Sequence, residues 1–446
     1  MWTRLLLQQL AETLPFETSP RQTFREFVAV IDEWHLRTFQ VLSCIRTLLR
    51  IRFAIYDIIC GMEILGNRNP KILLLAGEES GVLYAERLAV LLRSRGAEIR
   101  GYGDYGFRTA DLAVMGFWPV LRKLFYFLNV ARTMKRAIRE WKPDVVVTVD
   151  YPGLNLKLAA YAKGIGIPSV HMVCPQVWAW HQGRIPKVAA ALTKLLCFFP
   201  FEPKLFEGTG LDARFIGHPL VKVVERETVE TNASGMCGGD GKTLALLPGS
   251  RMGEIQRILP RLLEALKLVV GKGGDLKLRV CIPAANDAAE REIRRIVETF
   301  KGLPSVEIQK GKARELLRVA DCAAVASGTA TLEAALVRCP TVLVYAVGPV
   351  LAWFARRVIK GVRHVGLANV VAEKCGFEPP MPELLQEDFT PVAVAAQLES
   401  WLSDSAARSA AAKGLDDAMA YLQADGDPLE IAAEEILSCM KGSANG

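Results

Sequence analysis

From Lys71 onwards the sequence alternates short, very apolar runs with longer amphipathic segments, and this alternation constrains the fold more than any other feature. Short runs rich in Val, Ile and Leu are typical of strands buried on both faces, as in parallel sheets covered by helices. The segments between them have the length and period of helices. The pattern predicts an α/β fold built on doubly wound parallel sheets.

The alternation comes in two series, separated by a polar, Gly-rich segment at 225–242. A single core seldom grows beyond about 250–300 residues, so a chain of 446 residues is expected to form two domains. We predict Rossmann-like domains at 70–224 and 243–403, an interdomain linker at 225–242, and a helical tail at 404–446. Two such halves face each other across a cleft at the carboxyl ends of their strands.

The predicted strands and helices are the following. The first half has strands Lys71–Ala76, Asp144–Val149, Pro168–Val173, Lys194–Phe199 and Arg214–Gly217, with a helix starting near Leu83. The second half has strands Thr243–Leu247, Leu276–Ile282, Val306–Gln309, Cys322–Ala326 and Thr341–Ala346, with helices Glu254–Val270, Ala288–Phe300 and Thr331–Arg338.

Residues 1–69 differ from the rest, because their pattern is helical and rich in Arg. We interpret them as a helical N-terminal extension. The pattern leaves three origins open: an appendage packed on the body, a mis-set translation start, or an amphipathic element at a membrane surface. No signal peptide is predicted.

The composition limits the classes of function. A net charge of +7 is too small for a dedicated nucleic-acid binder, but it suits acidic substrates or an anionic membrane. The ten cysteines are scattered without a CxxC pair, which indicates a reducing cytosol and predicts no metal site. The longest apolar run, Thr341 to Ala355, is shorter than the ~20 residues of a spanning helix, so no membrane span is predicted.

The first strand runs into a Gly-rich turn followed by a helix. Glycines allow close backbone approach, and the unpaired N–H groups of a helix start attract phosphate. We predict a phosphate or acceptor loop formed by Gly77, Glu78, Ser80 and Gly81. The spacing is not GxGxxG, which counts against a dinucleotide fingerprint.

The second half contains two similar turns, Pro248-Gly249-Ser250-Arg251 and Ser327-Gly328-Thr329-Ala330-Thr331. Arg251 suits a diphosphate because a guanidinium can hold two oxygens at once, although it could equally be a surface residue. Ser and Thr side chains are expected to cap the helix after the second turn. For Glu333, stabilisation of the helix dipole and binding of ribose hydroxyls stay equally open.

A carboxylate, Asp150, ends the very apolar run DVVVTVD. It either points into the polar cleft or caps the turn that follows. In the cleft it would be well placed as a general base, which typically contributes about 10²–10⁴ in rate.

Aromatic and basic residues interleave between Phe107 and Arg139. That mixture is typical of a helix in a membrane interface, and an ordinary core-facing helix is the alternative. The predicted membrane and acyl-chain contacts are Phe117, Trp118, Leu121, Arg122, Lys123 and Phe125.

The chain resembles the lipid-A-disaccharide synthase family across roughly Lys71 to Leu402. The resemblance rests on ten short sequence blocks that occur in the same order as in the family. They are AGEESG (76–81), DLAVMGF (111–117), KPDV near Asp144, VDYPGLN (149–155), CPQVWAW (174–180), FPFE (199–202), FIGHPL (215–220), LALLPGSRMGE (244–254), ASGTATLEA (326–334) and GLANVVAEKCGFEPPMPELLQ (366–386).

The resemblance implies a GT-B fold and an inverting transfer from UDP-2,3-diacylglucosamine to 2,3-diacylglucosamine 1-phosphate (lipid X). The products would be a β-1,6-linked lipid A disaccharide 1-phosphate and UDP. It implies no cofactor or catalytic metal, and peripheral attachment to the cytoplasmic face of the inner membrane in a Gram-negative bacterium. A homodimer stays open.

The resemblance also assigns roles to residues. It implies Asp150 as base, Arg251 as diphosphate ligand beside Ser250, and a nucleotide cradle completed by Ser327, Gly328, Thr329 and Glu333. Asn369 matches a family asparagine near the donor.

The chain departs from the family pattern at Val82 and Gly153, where the family commonly has Asp, at His181, where Arg is commoner, and in the leading ~70 residues. The missing Asp at Val82 motivates one alternative, a catalytically silent, membrane-associated nucleotide-binding relative. The other alternative is another GT-B enzyme acting on UDP-N-acetylglucosamine.

Overall fold

The computed structural model describes residues 69–77, 79–108, 124–179, 182–234, 241–272, 277–348 and 363–441. The predicted N-terminal extension lies outside these residues, apart from Asn69. So do Glu78 and the segment 109–123, which contains five of the six predicted membrane contacts.

The strands are β1 (Lys71–Ala76), β2 (Glu98–Arg100), β3 (Val145–Val149), β4 (Ser169–Met172), β5 (Lys194–Cys197), β6 (Asp212–Phe215), β7 (Lys242–Leu247), β8 (Leu278–Ala284), β9 (Val306–Lys310), β10 (Cys322–Ala326), β11 (Thr341–Tyr345) and β12 (Glu383–Leu385). All pair in parallel, in two six-stranded sheets of order β2-β1-β3-β4-β5-β6 and β12-β11-β10-β7-β8-β9. The predicted doubly wound α/β architecture is confirmed.

The α-helices are α1 (Glu79–Ser94), α2 (Leu124–Trp141), α3 (Pro152–Gly164), α4 (Ile185–Ala191), α5 (Pro219–Ser234), α6 (Met252–Lys272), α7 (Asp287–Glu298), α8 (Ala313–Val319), α9 (Thr329–Leu336), α10 (Leu367–Cys375), α11 (Pro391–Ser403), α12 (Ser405–Met419) and α13 (Pro428–Lys441). The ends of the ten predicted strands and of the three bounded helices lie within two residues of these. Because a run of apolar residues marks a buried strand directly, even β10, with no exposed residue, is predicted correctly.

The segment at 225–242, predicted as an interdomain linker, is helical as far as Ser234. Helix α5 continues to Ser234, and only 235–240 lie outside the described residues. Its first turns bury Val223 and Val224, while Glu227 forms ion pairs with the second domain. Beyond its first turns this helix is polar and is held by ion pairs. Its sequence therefore lacks the apolar periodicity from which an amphipathic helix is predicted.

The C-terminal segment is helical, as predicted, but it is packed against the body of the protein. Helix α12 lies on α9 and α10 of the second domain, and α13 returns to α1 and β3 of the first. Ion pairs fasten α13 there, including Arg214–Glu435 at 2.7 Å and contacts of Lys194 with Glu435 and Arg95 with Glu430. One continuous apolar core therefore runs between the two sheets through α5, α9, α12 and α13.

Candidate functional site

The strand orders place the predicted turns at the two topological switch points. In the first sheet the order reverses between β1 and β3, and in the second between β7 and β10. Doubly wound sheets bind ligands in the crevice outside the carboxyl ends of the strands at such points. The turn after β1 thus lies beside Asp150, and the turn containing Arg251 lies beside the turn at Ser327.

Asp150 and Tyr151 form an unusual turn between β3 and α3. Both have φ of 52°, in the left-handed region that costs a non-glycine residue about 1–3 kcal/mol. The Tyr151 N–H donates to Asp150 Oδ1 at 2.7 Å, so the carboxylate takes part in the turn. It is nevertheless only half-buried, so the turn-forming and cleft-facing interpretations hold together.

Burial raises the pKa of Asp150, and the hydrogen bond from the Tyr151 backbone opposes this in part. A raised pKa makes the carboxylate a stronger base, because a general base works best when its pKa lies nearer the working pH. The first domain thus presents a carboxylate suited to accept a proton.

Two glycines allow the β1 turn to pack onto this carboxylate. A Cβ added at Gly77 would lie 2.5 Å from ring atoms of Tyr151, and one at Gly81 would lie 3.3 Å from Asp150 Cβ. Ser80 lies in the first turn of α1, whereas Glu78 is outside the described residues. The glycines of this turn therefore make room for the Asp150 turn.

Arg251 stands at the mouth of the turn between β7 and α6. Gly249 has φ of 105°, and Ser250 is exposed beside it. The Arg251 side chain is 61% exposed, with Nη1 3.0 Å from Glu254 Oε1. An exposed ion pair of this kind is worth little in water, so the guanidinium can reorient towards an anion at small cost.

The turn after β10 leads into α9 at Gly328, whose φ is 149°. No side chain caps the helix there, and the Thr331 hydroxyl donates to the Gly328 carbonyl at 2.7 Å. The expectation that Ser and Thr side chains cap this helix is therefore wrong. Ser327 is half-buried and Thr329 is exposed.

Glu333 carries an ion pair that the sequence does not reveal. Its Oε1 lies 2.8 Å from Nη1 of Arg314, which also contacts both oxygens of Glu227 at 2.7 and 3.0 Å. Arg318 adds a further contact to Glu227 at 2.9 Å. Because Glu227 belongs to α5, this cluster joins the connecting helix to the helix that carries Glu333.

Asn369 is fully buried, and both ends of its amide bond within the protein. Its Nδ2 donates to the Met381 carbonyl and to Glu383 Oε1, each at 2.8 Å, and its Oδ1 accepts from Met381 N at 2.9 Å. Glu383 in turn accepts from the N–H groups of Val365 and Gly366. In this conformation Asn369 fixes the start of α10 to β12. Its side chain is buried and is not presented to a donor substrate.

Aromatic side chains from three of the sequence blocks pack with Tyr84 and Phe198 in the first domain. Tyr84 stands edge-on to Phe198 at 5.5 Å between ring centroids, and Trp178 stands edge-on to Phe201 at 5.8 Å. Burial lowers the pKa of His218, which packs against Phe198 and Phe199, to about 3. This imidazole is therefore neutral near pH 7.

Tyr84 also reports how close the two domains come. Burial, and next the charge of Glu333, raise the pKa of Tyr84 to about 12, with a smaller contribution from Asp150. The hydroxyl belongs to the first domain and Glu333 to the second. The two halves of the cleft thus lie within electrostatic reach of one side chain.

Three buried side chains, Cys174, Cys197 and Glu202, could hold a metal ion. Their ligand atoms lie within 4.8 Å of one another, although the cysteines are far apart in sequence, which is why their spacing predicts no site. Contact with Cys197 and burial raise the pKa of Cys174, and burial raises that of Glu202 to about 8. These shifts favour the protonated forms of the Cys174 thiol and the Glu202 carboxyl.

Helix α2 is the described part of the predicted membrane contact. Phe125 is 84% exposed and Leu128 is 42% exposed, and Arg132 and Arg136 are exposed on the same helix. Phe117, Trp118, Leu121, Arg122 and Lys123 lie outside the described residues. No helix in the described part of the chain is long and apolar enough to cross a membrane.

Comparison with known proteins identifies the family. The model of the lipid-A-disaccharide synthetase family matches residues 72–426. Lipid-A-disaccharide synthases from Anaeromyxobacter dehalogenans and Myxococcus xanthus are 37% and 35% identical, each over 83% of this chain and 98% of the relative. The enzyme from Neisseria meningitidis serogroup A is 34% identical with the same coverage.

Solved structures show the same fold at much lower identity. A Listeria monocytogenes protein described as a UDP-N-acetylglucosamine 2-epimerase superposes with a TM-score of 0.52 at 13% identity, covering 85% of this chain and 97% of its own. S. aureus MnaA, solved with UDP, also has a TM-score of 0.52, at 12% identity over 84% and 97% of the two chains. The predicted GT-B arrangement of two Rossmann-like domains is thereby confirmed.

Proposed function

The chain belongs to the lipid-A-disaccharide synthetase family, and on that premise we propose the reaction it catalyses and the role of each residue. It is a glycosyltransferase that joins UDP-2,3-diacylglucosamine to 2,3-diacylglucosamine 1-phosphate, forming lipid A disaccharide 1-phosphate and UDP. The observation that carries the proposal is that the switch point of the first sheet holds a half-buried carboxylate, Asp150, and that of the second sheet an exposed arginine, Arg251.

On the acceptor side, Asp150 takes the proton of the acceptor 6-hydroxyl. The oxygen then attacks the anomeric carbon of the donor as the bond from that carbon to the diphosphate breaks on the opposite face, which inverts the configuration to β. The half-buried position and raised pKa of Asp150 support this role. The acceptor binds at the loop predicted after β1, whose residues are Gly77, Glu78, Ser80 and Gly81.

On the donor side, Arg251 and Ser250 hold the diphosphate at the start of α6, and Ser327, Gly328 and Thr329 hold it at the start of α9. Charge developing on the departing UDP is stabilised there by the guanidinium and the two helix starts. The uncapped start of α9 and the exposure of Arg251 support this assignment.

Two further donor residues take modified roles. Glu333 accepts hydrogen bonds from the ribose hydroxyls through Oε2, because its ion pair with Arg314 uses Oε1. Asn369 acts indirectly, through Glu383 and the segment 363–366 that Glu383 holds.

The acylated substrates place the enzyme at a membrane surface. Exposed Phe125 and Leu128 on α2 enter the interface, and the arginines of the same helix bind anionic lipid. We assign it to the cytoplasmic face of the inner membrane, as a peripheral protein. Flotation with anionic vesicles should fall for Phe125→Asp, whereas Val392→Asp, which changes another exposed apolar residue on α11, should leave it unaltered.

The decisive test of the reaction is UDP release from purified protein. Release should require both acylated substrates and yield a disaccharide by mass spectrometry. Release or epimerisation with UDP-N-acetylglucosamine alone would support the epimerase-like alternative. UDP binding without turnover would support the catalytically silent relative.

A further inference from the structure

One buried amide lies directly beneath the turn that carries Asp150. Asn155, in the first turns of α3, is completely buried, and its Nδ2 lies 2.8 Å from the Asp150 carbonyl, 3.2 Å from the Val149 carbonyl and 3.3 Å from the Leu75 carbonyl. These carbonyls belong to the ends of β1 and β3 and to the left-handed turn itself. One side chain thus ties together both strands of the switch point.

The Asn155 amide is itself fixed in orientation. The hydroxyl of Tyr102 donates to Asn155 Oδ1 at 2.7 Å, and Tyr102 is also buried. Because this bond takes the oxygen, the amide must present its nitrogen to the three carbonyls. A chain of buried hydrogen bonds therefore runs from the segment after β2 to the backbone of Asp150.

The turn needs such support. Asp150 and Tyr151 are consecutive non-glycine residues with positive φ, and strained backbone of this kind persists only where the surroundings enforce it. The ring of Tyr151 rests against Gly77, which blocks movement on one side. The hydrogen bond from Asn155 Nδ2 to the Asp150 carbonyl restrains the peptide between Asp150 and Tyr151.

We propose that Asn155, oriented by Tyr102, is a positioning residue that holds the Asp150 turn in its left-handed form and so directs the Asp150 carboxylate at the acceptor hydroxyl. This inference rests on the proposed role of Asp150 as the base. Neither residue contacts the substrates; both act through the turn.

The variants are Tyr102→Phe, which removes only the hydroxyl, Asn155→Asp, which keeps the size but loses the amide donors, and Asn155→Ala. The matched control is Thr148→Val. It removes a buried hydrogen bond of the same length as the Tyr102–Asn155 bond, between Thr148 Oγ1 and His171 Nδ1 at 2.7 Å, two residues before Asp150 but outside the turn.

We expect kcat to fall by at least ~10-fold in the Asn155 variants and less in Tyr102→Phe, with KM for both substrates changed by less than ~3-fold. The acid limb of kcat/KM should move to lower pH, because a relaxed turn exposes the carboxylate and relieves the burial that raises its pKa. Thr148→Val should lose stability with an unmoved acid limb. Combining Tyr102→Phe with Asn155→Ala should add nothing to Asn155→Ala alone.

Amide hydrogen exchange of the peptide spanning residues 145–158 gives a readout that does not depend on the chemistry. Exchange should quicken in the Asn155 variants and not in the control. An acid limb that stays in place or moves upward, or unchanged exchange, overturns the inference. If Asp150→Asn is active, the proposed base is wrong, and the exchange data still decide whether Asn155 holds the turn.

Discussion

Substitution of Gly77 by Ala tests how closely the two loops of the first domain are packed. The new Cβ would lie 2.5 Å from Tyr151 Cδ1 and Cγ. Carbon atoms in good contact stand about 3.5–4.0 Å apart, so the ring must retreat by at least ~1 Å. The retreat is hindered because Tyr151 is already held in a left-handed conformation. Overpacking of this kind costs about 1–3 kcal/mol.

The assay pairs urea unfolding with kcat/KM for UDP release. We expect Gly77→Ala to lose stability in that range and at least ~10-fold in kcat/KM, since displacement of Tyr151 moves its neighbour Asp150. Gly153→Ala is the matched control, because its Cβ would meet nothing within 4 Å and it lies in α3. It should be neutral or slightly stabilising. A Gly77→Ala enzyme as stable and active as the native one would refute the packing argument.

Three further predictions concern single residues. Arg251→Ala should leave the free energy of unfolding unchanged, because the side chain is exposed, and should lower kcat/KM by about 10–10²-fold. Arg251→Lys should recover only part of that kcat/KM, because an ammonium cannot hold two oxygens as a guanidinium does. An Arg251→Lys enzyme of full activity would argue against contact with two oxygens. Burial raises the pKa of Glu202 to about 8, so over part of the pH range the folded state keeps a proton that the unfolded state loses. The free energy of unfolding should therefore fall as pH rises from about 4.5 to 8. Chemical denaturation of Glu202→Gln should show a flatter dependence on pH. Asn369→Ala should cost about 1–3 kcal/mol, because it leaves the buried N–H and carbonyl of Met381 unpaired and removes one of the donors to Glu383; UDP affinity should fall too. Loss of UDP affinity at unchanged stability would instead indicate direct contact.

The sequence predicts most of the architecture because its strands are buried on both faces. The composition of runs such as Cys322–Ala326 is enough to identify them as buried strands. The ends of the predicted strands then give the positions of the turns at Gly77, Arg251 and Ser327. The three-residue edge strands β2 and β12 are not predicted, since they are short and only partly buried. Helix α5 is not predicted, because along the segment 225–234 ion pairs from Arg314 and Arg318 to Glu227 replace the apolar face that patterning can detect.

The sequence predicts where the candidate site residues lie in the fold, but not the partners of their side chains. Asp150 and Arg251 stand where strand ends require, yet the left-handed turn, the buried Asn155 amide and the ion pair of Glu333 depend on residues distant in sequence. Asn369 shows the limit most clearly. A motif match indicates the neighbourhood of the donor, while its burial depends on Met381 and Glu383, which only the folded chain brings together.

The proton transfer assigned to Asp150 is tested most directly by single-turnover kinetics of Asp150→Asn with both acylated substrates bound. Asparagine keeps the shape of the turn but cannot accept the proton. We predict that the rate of disaccharide formation falls by at least ~10², while the affinities for the two substrates change less than ~3-fold. A rate close to that of the native enzyme would contradict the account.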